Sequence, residues 1–414
     1  MIKYNKLQFN HLIIVKNRIM KENFFELFSE ITNKPYFETN CTEFSKEIAN
    51  LPLIFHKSLP NYKETPLISL DSIAEYLNVN KLFIKDESMR FGLKAFKGLG
   101  GSYCMFRILC EKFGLDEKTT DYSTFLRDDI RNECNKIEFV TATDGNHGKG
   151  ISWAAKLFGC KAHVFMPKGS VEARRRAIED AGSAVAEITN LNYDKVVKYA
   201  FNLAKKNNWI FIQDTSWKNY EKYPKWIIEG YLTMAAETVK QMNGKLPTHI
   251  FLQAGVGAMA GGVEAFFMSY NNEEPKPFVT IVEPKDAACI YHSIKMNDDN
   301  THSITGNPAT IMAGLNCGTP CSITWPIIRD YSTYFCACDD AIAEQGMRAY
   351  ANPIGKDKTI ISGESGAVTY GLLLSILKSK ELRDLFKINN NSVILLFNTE
   401  GDTYPDGYKK ILSS

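Results

Sequence analysis

From residue 81 to residue 398 the sequence keeps returning to one pattern: a short apolar run, a turn, and an amphipathic stretch. Residues 81–86, 136–143, 162–166, 184–188, 209–213, 249–253, 278–282 and 392–398 read as strands. Helical patterns begin near Ala95 and cover 151–158, 171–181, 193–206 and 263–269, with Gly182 closing the stretch before it. Strands alternating with helices build βαβ units. The predicted fold class is therefore α/β, with mostly parallel twisted sheets flanked by helices. Such sheets place ligands beyond the carboxyl ends of their strands. In this chain the unusual sequences lie in the loops that follow strands.

Composition narrows the function classes. The chain has 414 residues, 44% hydrophobic and 23% charged, which suits a globular protein of two or three domains. Lys and Arg total 49 against 47 Asp and Glu, a net charge of +2. That balance exerts no global pull toward nucleic acid or an acidic membrane, so a small-molecule partner is expected. The ten cysteines form no CxxC pair, and the closest spacings, Cys317 to Cys321 and Cys336 to Cys338, lack His partners at zinc-ligand spacing. No metal is predicted, and free thiols in a reducing compartment are the expectation. The apolar run 12–15 is too short for a signal sequence, and no stretch has the length of a membrane span. A cytoplasmic protein is expected. Residues 1–50, rich in Asn, Lys and Phe, lack the β/α rhythm and are read as an N-terminal extension packing on the main body.

Three loops can carry chemistry. Gly255-Val256-Gly257-Ala258-Met259-Ala260-Gly261-Gly262 lies between a strand and a helix. Glycines let a backbone approach an anion, and N–H groups at a helix N-terminus can hold a phosphate. Alone, the loop equally suits tight packing. It also partly fits a dinucleotide site, with Ala260 at the third position and Glu283 as the acidic residue. The second loop, 91–101, holds two lysines. Lys94 suits the surface, whereas Lys97 is flanked by apolar residues and glycine, and a desolvated amine can form a Schiff base. The third, Asp144-Gly145-Asn146-His147-Gly148, offers a carboxylate, an amide and an imidazole directly after a strand. Asp144 would serve equally as a turn former, and His147 as a packed histidine.

Taken together, the three loops resemble the fold type II family of pyridoxal-phosphate enzymes. The resemblance implies that Lys97 bonds the cofactor, pyridoxal 5'-phosphate, and that Asn146 meets its 3'-oxygen. It gives Gly255, Val256, Gly257, Ala258 and Met259 the phosphate, and Thr399, in Asn398-Thr399-Glu400-Gly401-Asp402, the pyridine nitrogen. Within that family the match narrows to the diaminopropionate ammonia-lyases. Arg90-Phe91-Gly92-Leu93-x-Ala95-Phe96-Lys97, Thr143-Asp144-Gly145-Asn146-His147-Gly148, Gln213-Asp214-Thr215-x-Trp217 and Thr310-Ile311-Met312-Ala313-Gly314-Leu315 are similar to segments of those enzymes, and the similarity runs from about Phe55 to about Gly407.

The implied reaction is α,β-elimination from 2,3-diaminopropionate, L and also D, to pyruvate and two ammonia. By the same resemblance, Lys97 removes the α-proton of the L-substrate and Asp144 that of the D-substrate. The second amine of the substrate is cationic, and a nearby carboxylate, Asp144 or Asp214, would attract it. Ser362-Gly363-Glu364-Ser365-Gly366 resembles another loop near the cofactor, and a helix N-cap explains it as well. Cys289 and Cys317 flank loops near the expected entrance, where a reversible pair or two separate thiols are both open. The family organisation implies a homodimer and two domains, the larger from 51–104 and 226–414 and the smaller from 105–225. A serine or threonine dehydratase is the nearest alternative. A non-catalytic nucleotide- or ligand-binding protein is the alternative from another class, and it leaves Lys97 without a role.

Overall fold

The computed structural model describes residues 18–20, 25–29 and 39–414, apart from 144, 272–274, 305, 307 and 308. Its strands are β1 (Arg18–Met20), β2 (Phe25–Ser29), β3 (Leu67–Ser69), β4 (Lys81–Asp86), β5 (Glu138–Ala142), β6 (Lys161–Met166), β7 (Ala184–Ile188), β8 (Ile210–Phe211), β9 (His249–Gln253), β10 (Phe278–Pro284), β11 (Tyr334–Cys338) and β12 (Val393–Asn398). They form two sheets. The larger has the order β1-β2-β11-β10-β9-β12-β4-β3, and the smaller the order β7-β6-β5-β8.

The order explains how distant loops meet. In the larger sheet β12 lies between β9 and β4, parallel to both, with Asn398 opposite Asp86. The glycine-rich loop, Thr399 and the lysine loop therefore leave the same edge side by side. In the smaller, all-parallel sheet β5 neighbours β8, so the loop holding Asn146 emerges beside the one holding Asp214.

The larger sheet is mixed rather than parallel throughout. β3 runs antiparallel to β4, β2 to β11, and β1 to β2. β2 is buried at alternate residues, as expected where a strand covers the core with one face only. Through β2, part of the 1–50 segment extends the edge of the larger sheet. Helices start earlier than the apolar periodicity suggests: Asn146–Phe158 rather than 151, and Ala258–Tyr270 rather than 263. The first turns are rich in small or polar residues, which carry no hydrophobic signal but suit backbone that must face a ligand. Near Ala95 the order reverses, and the helix is Gly98–Phe113.

Helices Gly98–Phe113 and Lys222–Gln241 cross at close range, and glycines make that possible. A methyl group at Gly230 would sit 2.6 Å from the carbonyl of Leu99, and one at Gly100 would sit 2.5 Å from the Tyr231 ring. His56 clamps the same crossing. Its Nε2 donates to the Leu99 carbonyl at 3.0 Å, which leaves Nδ1 to accept from the Thr233 hydroxyl at 2.7 Å. Burial, reinforced by nearby Arg90, pushes its pKa down to about 3, and burial pushes that of His249 down to about 4.

Both folded-state values lie below the ordinary histidine value of 6.5. Unfolding thus takes up protons below pH 6.5, and the stability these neutral rings contribute is lost as pH falls toward the folded values. Urea unfolding of the apoprotein is expected to lose up to about 1.4 kcal/mol per pH unit for each histidine between pH 6 and 4. His56→Gln should flatten that slope.

Candidate active site

The lysine loop is shaped before it reaches Lys97. Between β4 and helix Gly98–Phe113 the backbone takes left-handed conformations at Phe91 (φ 53°), Gly92 (φ 73°) and Lys94 (φ 56°). Such a path needs anchors, because non-glycine residues adopt it only when their surroundings fix it. Arg90, fully buried, is one anchor: it donates to Glu87 at 2.7 and 2.8 Å and to Glu237 at 2.7 and 2.8 Å. Lys85 completes the cluster with a 2.7 Å ion pair to Glu237. Two cations and two carboxylates balance one another inside the protein. On the other side, the Phe96 N–H donates to the Thr399 carbonyl at 3.2 Å and Ala95 bridges to Glu400.

This path delivers the Lys97 amine into a cleft of about 1110 Å³ between the two sheets, with Phe96 and Tyr231 beneath it at 5.1 and 5.5 Å from their ring centroids. Its partner is Asp214, with Nζ to Oδ2 at 2.6 Å. Burial disfavours the Lys97 ammonium, but the Asp214 carboxylate outweighs it and holds the pKa above the usual lysine value. Burial likewise disfavours the Asp214 carboxylate, and Lys97 and then His147 pull its pKa well below the usual range. The imidazole Nδ1 of His147 lies 3.8 Å from the same carboxylate oxygen, and burial holds that ring's pKa below its ordinary value. The structure thus brings together two of the residues read from sequence, Lys97 and Asp214, and adds His147. Asp144 lies outside the described residues, between Thr143 and Gly145, which both line the cleft.

Across the cleft, Gly255, Val256 and Gly257 follow β9, and helix Ala258–Tyr270 begins at Ala258 with Met259 in its first turn. Gly257 has φ +87°, a turn only glycine makes easily. At Gly255 a Cβ would lie 3.2 Å from the Leu315 backbone, so a side chain there would crowd the cleft wall. First-turn N–H groups of a helix lack intrahelical acceptors and can face an anion there. Glu283 does not serve a dinucleotide: its carboxylate accepts from the N–H groups of Ile290 at 2.8 Å and Tyr291 at 2.6 Å.

The Thr399 hydroxyl accepts from Gln253 Nε2 at 3.0 Å, so its own proton remains available toward the cleft. Ser365 contributes a buried hydroxyl in the cleft wall that lacks a protein partner. Lys97, a glycine-lined anion cradle, Thr399 and the orphaned Ser365 hydroxyl form a donor set that suits a phosphorylated pyridine aldehyde. Asn146 faces the same space and donates Nδ2 to Glu400 Oε2 at 2.5 Å. Glu364 opens helix Glu364–Leu377, and burial, with help from Glu400, raises its pKa to about 7. Cys289 is buried, its Sγ 3.6 Å from the Gly255 carbonyl, and no disulfide links it to Cys317. Glu400, Gln253, Tyr231 and His56 were not singled out from sequence. Each acts through a partner more than 40 residues away, which no local pattern reveals.

This is the site of an enzyme that uses pyridoxal phosphate. The model of the pyridoxal-phosphate dependent enzyme family matches residues 59–397, and the chain belongs to that family. It is 46% identical to the diaminopropionate ammonia-lyase of Salmonella typhimurium over 87% of this chain and 90% of that one. It is 42% identical to the diaminopropionate ammonia-lyase of Escherichia coli K12 over 94% and 97% of the two chains. The solved structure of the Escherichia coli diaminopropionate ammonia-lyase in complex with an aminoacrylate-PLP azomethine reaction intermediate superposes with a TM-score of 0.85 at 41% identity, covering 94% of this chain and 96% of that one. Within the family, the chain belongs with the diaminopropionate ammonia-lyases.

Proposed function

We propose that this protein is a carbon–nitrogen lyase that converts 2,3-diaminopropionate to pyruvate and two ammonia molecules, acting on the L and the D isomer. The observation that carries the reading is the Lys97 amine, shielded in a cleft and held 2.6 Å from a carboxylate that a second amine can claim. Lys97 would hold pyridoxal 5'-phosphate, the backbone of Gly255 to Met259 its phosphate, Thr399 its ring nitrogen and Asn146 its 3'-oxygen. When bound, the cofactor supplies an electron sink for the negative charge that develops at the substrate α-carbon.

The chain's own groups do the rest. Before the cofactor is bound, Asp214 keeps Lys97 protonated, and an ammonium is neither nucleophile nor base. A substrate carrying a second ammonium would compete for Asp214 Oδ2, and the attraction is strengthened because that side chain is largely buried. Lys97 Nζ, once free of the cofactor and unprotonated, can take the α-proton of the L-substrate. By the family resemblance, Asp144 would take the α-proton of the D-substrate. Threonine and serine lack the second cation, so Asp214 would not attract them and turnover would be poor. Closure of the lobes excludes water from the reacting centre.

The reading extends to a cytoplasmic homodimer in which residues 51–104 and 226–414 form the larger domain and 105–225 the smaller. Both transitions fall inside the paired helices Gly98–Phe113 and Lys222–Gln241, which would act as the shared spine.

Two assays test the reaction. Purified holoenzyme is expected to form pyruvate from both isomers of 2,3-diaminopropionate and little 2-oxobutyrate from threonine; the reverse preference would make it a dehydratase. Asp144→Asn is expected to keep the visible cofactor band and most L-turnover while losing about 10²-fold or more of D-turnover. Surviving D-turnover with lost L-turnover would exchange the two faces.

A further inference from the structure

Glu400 has no part in the steps above, yet it is only 5% exposed and its carboxylate borders the cleft. Main-chain contacts fix where it stands: its carbonyl accepts from the Gly363 N–H at 3.0 Å, and its backbone bridges to Ala95. One carboxylate oxygen accepts from the Ser365 N–H at 3.0 Å, which ties the side chain to helix Glu364–Leu377. The other reaches across the cleft to Asn146, at the start of helix Asn146–Phe158 in the lobe of the smaller sheet.

A carboxylate can only accept hydrogen bonds, whereas an amide can turn either end toward a neutral partner. Facing Glu400, Asn146 must therefore present Nδ2. One N–H is used on Glu400, and the second is left to donate into the cleft, where an electron-rich ring oxygen would be its acceptor. A neutral partner at position 400 would permit the flipped amide, whose carbonyl would repel that oxygen. We propose that Glu400 is a positioning residue: by fixing the amide of Asn146 in its donating orientation, it sets the cofactor's 3'-oxygen contact and ties it to both lobes. This rests on the functional reading above, which assigns that contact to Asn146.

A double-mutant cycle separates positioning from simple support. The apo forms of wild type, Glu400→Gln, Asn146→Ala and the double variant are titrated with pyridoxal 5'-phosphate, following tryptophan fluorescence and the visible band. Glu400→Gln is expected to weaken binding about tenfold when Asn146 is present, and less than about twofold when it is alanine. An absorbance maximum that shifts in Glu400→Gln and in Asn146→Ala, with no further shift in the double variant, is part of the same expectation. Unchanged binding in Glu400→Gln, or an equal loss in both backgrounds, would overturn the assignment. Should Glu400→Gln fail to fold by circular dichroism, the same cycle with Glu400→Asp replaces it, since the shorter acid cannot span to Asn146 and the same dependence on Asn146 is expected. A wild-type protein that binds no pyridoxal phosphate would instead defeat the functional reading itself, and that result is visible before any variant is compared.

Discussion

Replacing Lys97 by alanine is expected to lower pyruvate formation from L-2,3-diaminopropionate by about 10³-fold or more, since in the proposed mechanism one amine both carries the cofactor and moves the α-proton. The substitution also strands a carboxylate. Asp214, left with His147 at 3.8 Å and a 3.5 Å contact from Gln213 Nε2, would be a buried charge without its main partner, and its pKa should rise. Breaking a buried pair costs about 3–5 kcal/mol, so inactivity of Lys97→Ala alone would leave misfolding as a competing explanation. Lys97→Ala combined with Asp214→Asn removes both charges. It should recover most of the lost stability in a urea titration without recovering any activity. Recovery of activity together with stability would mean that Lys97 supports the fold rather than the reaction.

The second large effect lies behind the site. Arg90→Ala is expected to reduce unfolding free energy by about 3–5 kcal/mol, because it leaves Glu87 and Glu237 buried against Lys85 alone. Glu237 is the more telling partner. Burial opposes its charge, yet hydrogen bonds and attraction from Arg90, with Lys85, bring its pKa down to about 2. Changing both residues, Arg90→Met with Glu237→Leu, leaves Lys85 and Glu87 as a balanced pair. The double variant should lose clearly less than the sum of the single losses in urea unfolding. Additive losses would mean that the cluster is not a unit. Because Arg90 anchors the left-handed path through Phe91, Gly92 and Lys94, cofactor affinity should fall along with stability in Arg90→Ala.

How far the sequence reveals all this depends on the range of each interaction. β4, β7 and β9 can be read to the residue, since each is an apolar run between clear breakers. β11 escapes notice because Tyr-Phe-Cys-Ala-Cys, buried at all five residues, contains no β-branched side chain. β2 is hidden in an Asn- and Lys-rich segment whose partner strand, β11, lies more than 300 residues on. At the site, Lys97, Asn146, Asp214 and Thr399 stand out because their loops carry rare local motifs. Pairings cannot be read in that way. Nothing near Asp214 marks it as the partner of Lys97 rather than a free carboxylate for substrate, and nothing near Glu400 points to Asn146. Glu283 shows the opposite error, since its spacing suits a dinucleotide while its carboxylate caps a helix.

The central claim is that the Lys97 amine carries pyridoxal phosphate in this cleft. Borohydride reduction of the holoenzyme followed by peptide mass analysis tests it most directly. The visible band should bleach, and one reduced cofactor should be found on the peptide containing Lys97, and on no other lysine in stoichiometric amount. A bleached protein with its label on Lys94 or Lys149, or an unlabelled protein, would contradict it.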